Sequence, residues 1–216
     1  FYINHDGFAQ KDIYYPTALA ERMSLKDMNP PGAADIIVSF NSSTNWYYGT
    51  DGKTPLGKYD LVSVVMHEFC HGLGFTGSFS TYKPSGSLQT WGYWGYEEAY
   101  PMAFDQFVQT GTNKQLIDTA LYKNPSYNLY KALTSNNLIF KGPITSTDFA
   151  ENIRLYAPST YDDGSSIYHL DENYSGTANQ MMTYSIGTAT SIHDPGPVTM
   201  AILSDIGWKH IEIIHT

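Results

Sequence analysis

Two histidines four residues apart with a glutamate between them, His67-Glu68-Phe69-Cys70-His71, form the segment of this chain best suited to chemistry. On a helix, positions i and i+4 lie one turn apart on the same face, so both imidazoles reach one metal ion. Glu68 is too short to join them as a ligand. It is placed to point at a water on the metal and accept its proton, which makes it the candidate general base. A catalytic zinc generally takes three protein ligands and leaves a fourth position for water, so two histidines require a partner elsewhere. Cys70 competes with His71 for the same space and reads as a small buried apolar residue rather than a ligand.

The spacing has this meaning only on a helix, and the flanking sequence supplies one. The apolar run Leu61, Val62, Val64, Val65 leads into the pair, Asp60 can cap the N-terminus, and Gly74 stands where a left-handed stop is expected. The segment from Asp60 to Leu73 is therefore predicted helical. Before it, Ala34 to Phe40 is rich in β-branched residues and reads as a strand, an edge on which an extended peptide could pair. Residues 41–58 form a loop or hairpin. After it, the Gly- and aromatic-rich stretch from Thr81 to Tyr100 reads as loop, Pro101 to Val108 as a strand, Lys114 to Tyr122 and Tyr127 to Thr134 as short helices, and Leu138 to Phe140 as a short strand. This middle section has the look of an inserted subdomain. Val198 to Ile206 is the final helix, ending at Gly207.

Four candidates for the third ligand stand open on the residues alone. His169 follows a turn and precedes a Met-containing turn, and Glu97 or Glu98 would serve if a second helix carried a Glu ligand. In the metzincin pattern the residue six after the second His completes the site, but here that position is Gly77, which has no ligating side chain. His193, beside Asp194 and two prolines, reads as a loop or cleft residue bonded to Asp194.

The core His67-Glu68-Phe69-Cys70-His71-Gly72-Leu73-Gly74-Phe75, with this gap after it, resembles leishmanolysin-like metzincins, in which a long insertion precedes the third histidine. The runs 155–160, 165–172, Met181-Met182-Thr183-Tyr184 and His193-Asp194-Pro195-Gly196-Pro197 extend the resemblance to secreted bacterial zinc peptidases, over most of the chain from Ala34 to Trp208. It implies an α+β, metzincin-like zincin in a single catalytic domain over 1–216. The N-terminal lobe, 1–75, would hold a twisted sheet and the active-site helix; 76–216 would hold an irregular insertion, a Met-turn and the C-terminal helix. By the same resemblance His169 is the third ligand and Met182 the Met-turn methionine beneath the zinc. In astacin- and serralysin-type metzincins a tyrosine two residues past that methionine approaches the zinc, and Tyr184 stands at this spacing, able to hydrogen-bond a developing oxyanion. The expectation is a zinc endopeptidase with one catalytic Zn2+ on His67, His71 and His169, acting on protein or peptide substrates.

The composition bounds the alternatives. A formal net charge of −9 with 15% charged residues leaves no basic footprint for nucleic acid, and no apolar run approaches the roughly eighteen residues of a membrane span. One cysteine excludes an internal disulfide. The start at Phe1-Tyr2-Ile3-Asn4 reads as a mature or excised fragment, and the wealth of Tyr, Asn, Ser and Gly with few Lys suits a secreted, bacterial monomer. Calcium is compatible with Asp162-Asp163-Gly164 and the Asn/Asp-rich loops, but no spacing assigns ligands to it. The rival from another class is a non-catalytic extracellular binding module, with Trp91, Tyr93, Trp94, Tyr96 and Tyr100 as an aromatic platform for glycan or protein.

Overall fold

The structure, a computed structural model, describes residues 2–3, 9–95 and 100–208. In place of a twisted sheet, the described residues of the N-terminal part hold two small ladders. Strands β1, Tyr2–Ile3, and β2, Tyr14–Tyr15, pair antiparallel, and helix α1, Thr17–Ser24, follows directly. Strands β3, Trp46–Tyr47, and β4, Tyr59–Asp60, pair parallel and deliver the chain into helix α2, Leu61–Gly72.

The segment 34–40, expected as a strand, has no ladder partner. Ile36 and Val38 are half-buried while Ile37 stays 84% exposed, so its alternation reflects one face laid on the protein without β pairing. Ile36 packs on Gly72 at the end of α2, where an added Cβ would come within 2.6 Å of the isoleucine side chain.

Past α2 the stretch expected as loop holds an antiparallel pair, β5, Ser80–Tyr82, and β6, Trp91–Tyr93. The expected strand 101–108 is instead a 3-10 turn over Phe104–Phe107 that opens into β7, Val108–Thr110. The reason is local: the buried Asp105 carboxylate accepts from the backbone N–H of Met102 at 2.9 Å and curls the chain. Residues 114–122 form consecutive turns, not a helix, with Asp118 oxygen atoms taking the N–H groups of Ala120, Leu121 and Tyr122. Helix α3, Tyr127–Leu133, is capped by Ser126 and packs on β6, where Gly92 leaves room for the Leu129–Tyr130 backbone.

Strand β8, Leu138–Phe140, is central in an antiparallel sheet with β7 on one side and β9, Ile153–Leu155, on the other. All three β8 side chains are buried, as a strand covered on both faces requires. Helix α4, Pro143–Asp148, lies between them in sequence and packs on the last helix, α5, Gly196–Ile206. Asp205 of α5 takes the N–H groups of Ile144 and Thr145, filling the cap position of α4 that Gly142 cannot.

One contiguous core joins these parts. Phe75 after α2 stacks obliquely on Phe104 at 5.0 Å, and Phe104 on Phe140 of β8 at 4.8 Å, all three with 1% exposure or less. Met181, Met182, Leu170 and Ile202 belong to the same cluster, so the middle section shares its core with both ends. At the far end Trp208 donates its indole N–H to the Leu73 carbonyl at 2.7 Å, tying the exit of α5 to the exit of α2. Among the described residues no helix is long and apolar enough to cross a membrane.

Candidate metal centre

Helix α2 begins at Asp60, whose carboxylate accepts from Ser63 N–H at 2.8 Å, a cap contributing about 1 kcal/mol. Two turns later His67 and His71 present their rings to His169, 98 residues further along. The three Nε2 atoms form a nearly equilateral triangle: 3.1 Å between His67 and His71, and 3.2 Å from each to His169.

The other nitrogen of each ring is committed. Nδ1 of His67 donates to the Met181 carbonyl at 2.8 Å, that of His71 to Phe75 at 2.7 Å, and that of His169 to Ser165 at 2.8 Å. A carbonyl oxygen only accepts, so each neutral ring carries its proton on Nδ1 and turns a bare Nε2 lone pair to the shared point. Three such lone pairs at this distance repel one another unless a cation lies between them. Tetrahedral zinc with Zn–N bonds of about 2.0–2.1 Å sets its nitrogen ligands about 3.3–3.4 Å apart, so the triangle fits that ion. Among the described residues these three form the group of His, Cys, Asp or Glu side chains able to share an ion.

Protons are poor competitors for the centre. Burial, followed by repulsion from His67, pushes His71 down to about 4; burial, followed by His71 and His67, pushes His169 down to about 3. The carbonyl bonds oppose these shifts without cancelling them. Cys70 is buried on the same helix, its thiol raised to about 11 by burial, and stands outside the cluster.

His169 is brought there by backbone pairing that no local signal announces. Its carbonyl accepts from Tyr156 N–H at 2.9 Å, Ile167 N–H donates to the Tyr156 carbonyl, and Leu170 N–H donates to Met182 at 2.7 Å. Leu170 thus bridges β9 at Leu155 and the turn at Thr183, placing His169 between the sheet and the 3-10 turn Gln180–Met182. The neighbouring Tyr168 donates to the buried Asp105 at 2.9 Å, and Asp105 also accepts from Ser78 N–H and Ser78 Oγ. Gly77 lies in this knot, and a Cβ there would overlap Asp105 Oδ1 and the Tyr168 ring. The position six residues after His71 has no room here for any side chain.

Glu68 is half-buried and lines a cleft of about 380 Å³ together with His67. One wall comes from Trp46, Tyr59 and Val64, the other from Tyr184 and Ile186. Tyr184 is 39% exposed and stacks on Tyr156 with centroids 4.4 Å apart, so its ring is held at the cleft. Met182 is fully buried against α2 within its turn, but the atom of that turn in contact with a ligand is the Met181 carbonyl.

Other expected residues fall differently. Glu97, Glu98 and Tyr96 lie outside the described residues. His193 does not bond Asp194: its Nε2 meets Asp60 Oδ1 at 2.9 Å, while Asp194 accepts from Gly196 N–H. Burial alone would raise the Asp60 carboxyl, but donors from Ser63, Thr54 and His193 outweigh it and hold the group below its usual range. Trp94 is 9% exposed, and Trp91 and Tyr93 are half-buried with Tyr82 packed edge-on against both. Sequence reasoning missed the three carbonyl partners, the Asp105 knot and the contact between Asp60 and His193. Only the Phe75 carbonyl, one helical turn beyond His71, had a local signal.

A family model described as SPBPB7E8-like matches residues 6–140, which include His67, Glu68 and His71 and end before His169. A Schizosaccharomyces pombe protein, "Uncharacterized protein PB7E8.01", is 33% identical over 84 residues. The aligned part is 39% of this chain, and the chain spans only 12% of that relative's length. A relative in fission yeast means that sequences of this type are not confined to bacteria. No solved structure matches. The family model covers more than half of the chain, which therefore belongs to the SPBPB7E8-like family.

Proposed function

We propose that this chain is a zinc-dependent endopeptidase. The observation that carries the reading is the triangle of three Nε2 atoms 3.1–3.2 Å apart, with Glu68 beside it on an open cleft. The resemblance of the helix and Met-turn segments to leishmanolysin-like metzincins supports the same reading.

In it, His67, His71 and His169 hold the ion, and zinc supplies Lewis acidity toward a scissile carbonyl and toward water. Glu68 takes a proton from the attacking water and passes it to the leaving amine. Tyr184 would hydrogen-bond the developing oxyanion through its hydroxyl from the opposite wall. The carbonyls of Met181, Phe75 and Ser165 keep the rings in the ligating tautomer, work that second partners of metal-binding histidines commonly do. An apolar and aromatic cleft beside Glu68 suits a peptide side chain, and the acidic, lysine-poor composition suits action outside the cell as a monomer.

The test is metal analysis of the purified chain and of His169→Ala, paired with digestion of casein. One equivalent of zinc and proteolysis in the wild type, both diminished in the variant, is the expected result. Zinc bound without any peptide hydrolysis would overturn the peptidase reading, and full zinc and activity in His169→Ala would overturn the ligand set.

A further inference from the structure

The cleft is framed by two chain segments far apart in sequence, and they are fastened to each other away from the metal. Tyr59 and Val64 come from the entry to α2, while Tyr184 and Ile186 come from the loop after the Met-containing turn. Three to seven residues beyond Ile186 that loop is bound to the first segment through four of its residues. His193 Nε2 meets Asp60 Oδ1 at 2.9 Å, Ile192 N–H donates to Ser63 Oγ at 2.6 Å, Ser191 Oγ and Thr54 Oγ1 lie 2.7 Å apart, and Ala189 N–H donates to the Lys58 carbonyl at 3.0 Å.

Asp60 is the centre of this clamp. Its side chain is fully buried and accepts from Ser63 N–H and Oγ, from Thr54 Oγ1 at 2.8 Å and from His193. A helix cap requires only the Ser63 N–H. The further donors satisfy a buried carboxylate, and the only one brought directly to it by the loop is His193, 133 residues away. Ser63 Oγ, held by Asp60, in turn accepts from Ile192, so a disturbance at His193 reaches the loop backbone through a second route.

We propose that His193, acting through Asp60, is a positioning residue that sets the spacing between the two walls of the substrate cleft. The proposal rests on the endopeptidase reading for the word substrate, and on the hydrogen-bond geometry alone for the clamp. Among the described residues the hydrogen bond of the His193 ring is to Asp60, not to the three clustered histidines or Glu68. Its loss frees the wall bearing Tyr184 and Ile186 and weakens the grip on substrate, leaving the ion in place.

The experiment compares the zinc-loaded chain with His193→Ala and with His193→Gln, whose amide N–H can still donate to Asp60. Three quantities are read: zinc content, amide hydrogen exchange across 184–193, and KM and kcat on a quenched fluorogenic peptide that the wild type cleaves. In His193→Ala, exchange at Ala189 and Ile192 should quicken about tenfold, as expected for loss of one charge-assisted bond, and KM should rise by a similar factor. Zinc content should stay at the wild-type value, kcat should fall as Tyr184 is displaced with its wall, and His193→Gln should recover most of these losses. Unchanged exchange at these amides overturns the clamp, as does failure of the glutamine variant to rescue it. Quickened exchange with unchanged KM overturns its role in the cleft. Exchange needs no turnover, so a wild type that cleaves nothing sinks the peptidase reading while the clamp is still judged on its amides.

Discussion

Nδ1 of His67 donates to the backbone carbonyl of Met181 at 2.8 Å across 114 residues of sequence, which ties the turn before Tyr184 to the candidate metal centre. The ring nitrogen that faces the shared point is bare because this carbonyl holds the proton on the other side. A metal bound at Nε2 is then coupled to the packing of that turn against α2. Zinc should therefore stabilise the whole fold: adding one equivalent to chelator-stripped protein raises Tm, and at free zinc a hundredfold above Kd the gain approaches about 2.7 kcal/mol. Differential scanning calorimetry with and without zinc checks this, and an unchanged Tm would mean that the three rings do not hold an ion.

Glu68 has a sharper signature. Replacement by Gln keeps its size and removes its basicity, and since the side chain is not one of the three ligands, zinc content should remain at one equivalent. Peptide turnover should fall by about 10²–10⁴-fold, the scale of a lost general base. Retained turnover in a zinc-replete Glu68→Gln variant would remove this residue from the mechanism.

How much of this was legible follows from the range over which each feature is determined. Helix α2 could be read because its signals are all local: Asp60 at the cap, the apolar run, the i, i+4 histidines, and Gly74 with φ +120° past the end. His169 could not be placed by local signals, since it is held by Tyr156 and Met182 through pairing between distant strands, and only the resemblance singled it out. The run Ile36-Ile37-Val38 has strand-like residues but its partner is the face of α2 at Gly72, a packing contact that mimics β alternation. The stretch 101–108 alternates well enough, yet a single buried carboxylate, Asp105, turns it into a 3-10 coil. Asp60 was read as a cap, and nothing near it in sequence announces that His193 will share its carboxylate.

The metal-free protein should lose stability in acid. Burial, then the neighbouring His67, holds His71 down to about 4, and burial, then His71 and His67, holds His169 down to about 3, while in the unfolded chain a histidine titrates at about 6.5. Between those values the unfolded state binds protons that the folded state refuses, so unfolding is favoured as pH falls through this window and stability rises as pH increases through it. Chelator-stripped protein should show a Tm that falls steadily from pH 7 to pH 4, and His71→Leu should flatten part of that dependence. A pH-independent Tm over this range in the stripped wild type would contradict the buried, neutral state of His71 and His169.

Gly77 gives a test of how the third ligand is held, using a residue that touches no metal. An added Cβ at this position would overlap Asp105 Oδ1 and the ring of Tyr168, the residue next to His169. Asp105 cannot yield easily, because it is fully buried and accepts from Met102, Ser78 and Tyr168 together, and breaking that set leaves a carboxylate or its donors without partners. The more mobile side is Tyr168, and its displacement carries His169 with it. Gly77→Ala should therefore weaken zinc by about 10–100-fold, the usual effect of disturbing the partners of a metal ligand, while α2 with His67 and His71 stays folded. Competition against a chromogenic chelator measures the affinity and far-UV circular dichroism reports the helix. Wild-type zinc affinity in Gly77→Ala would show that His169 is positioned by the ladder from Tyr156 and Met182 alone, independently of the Asp105 knot.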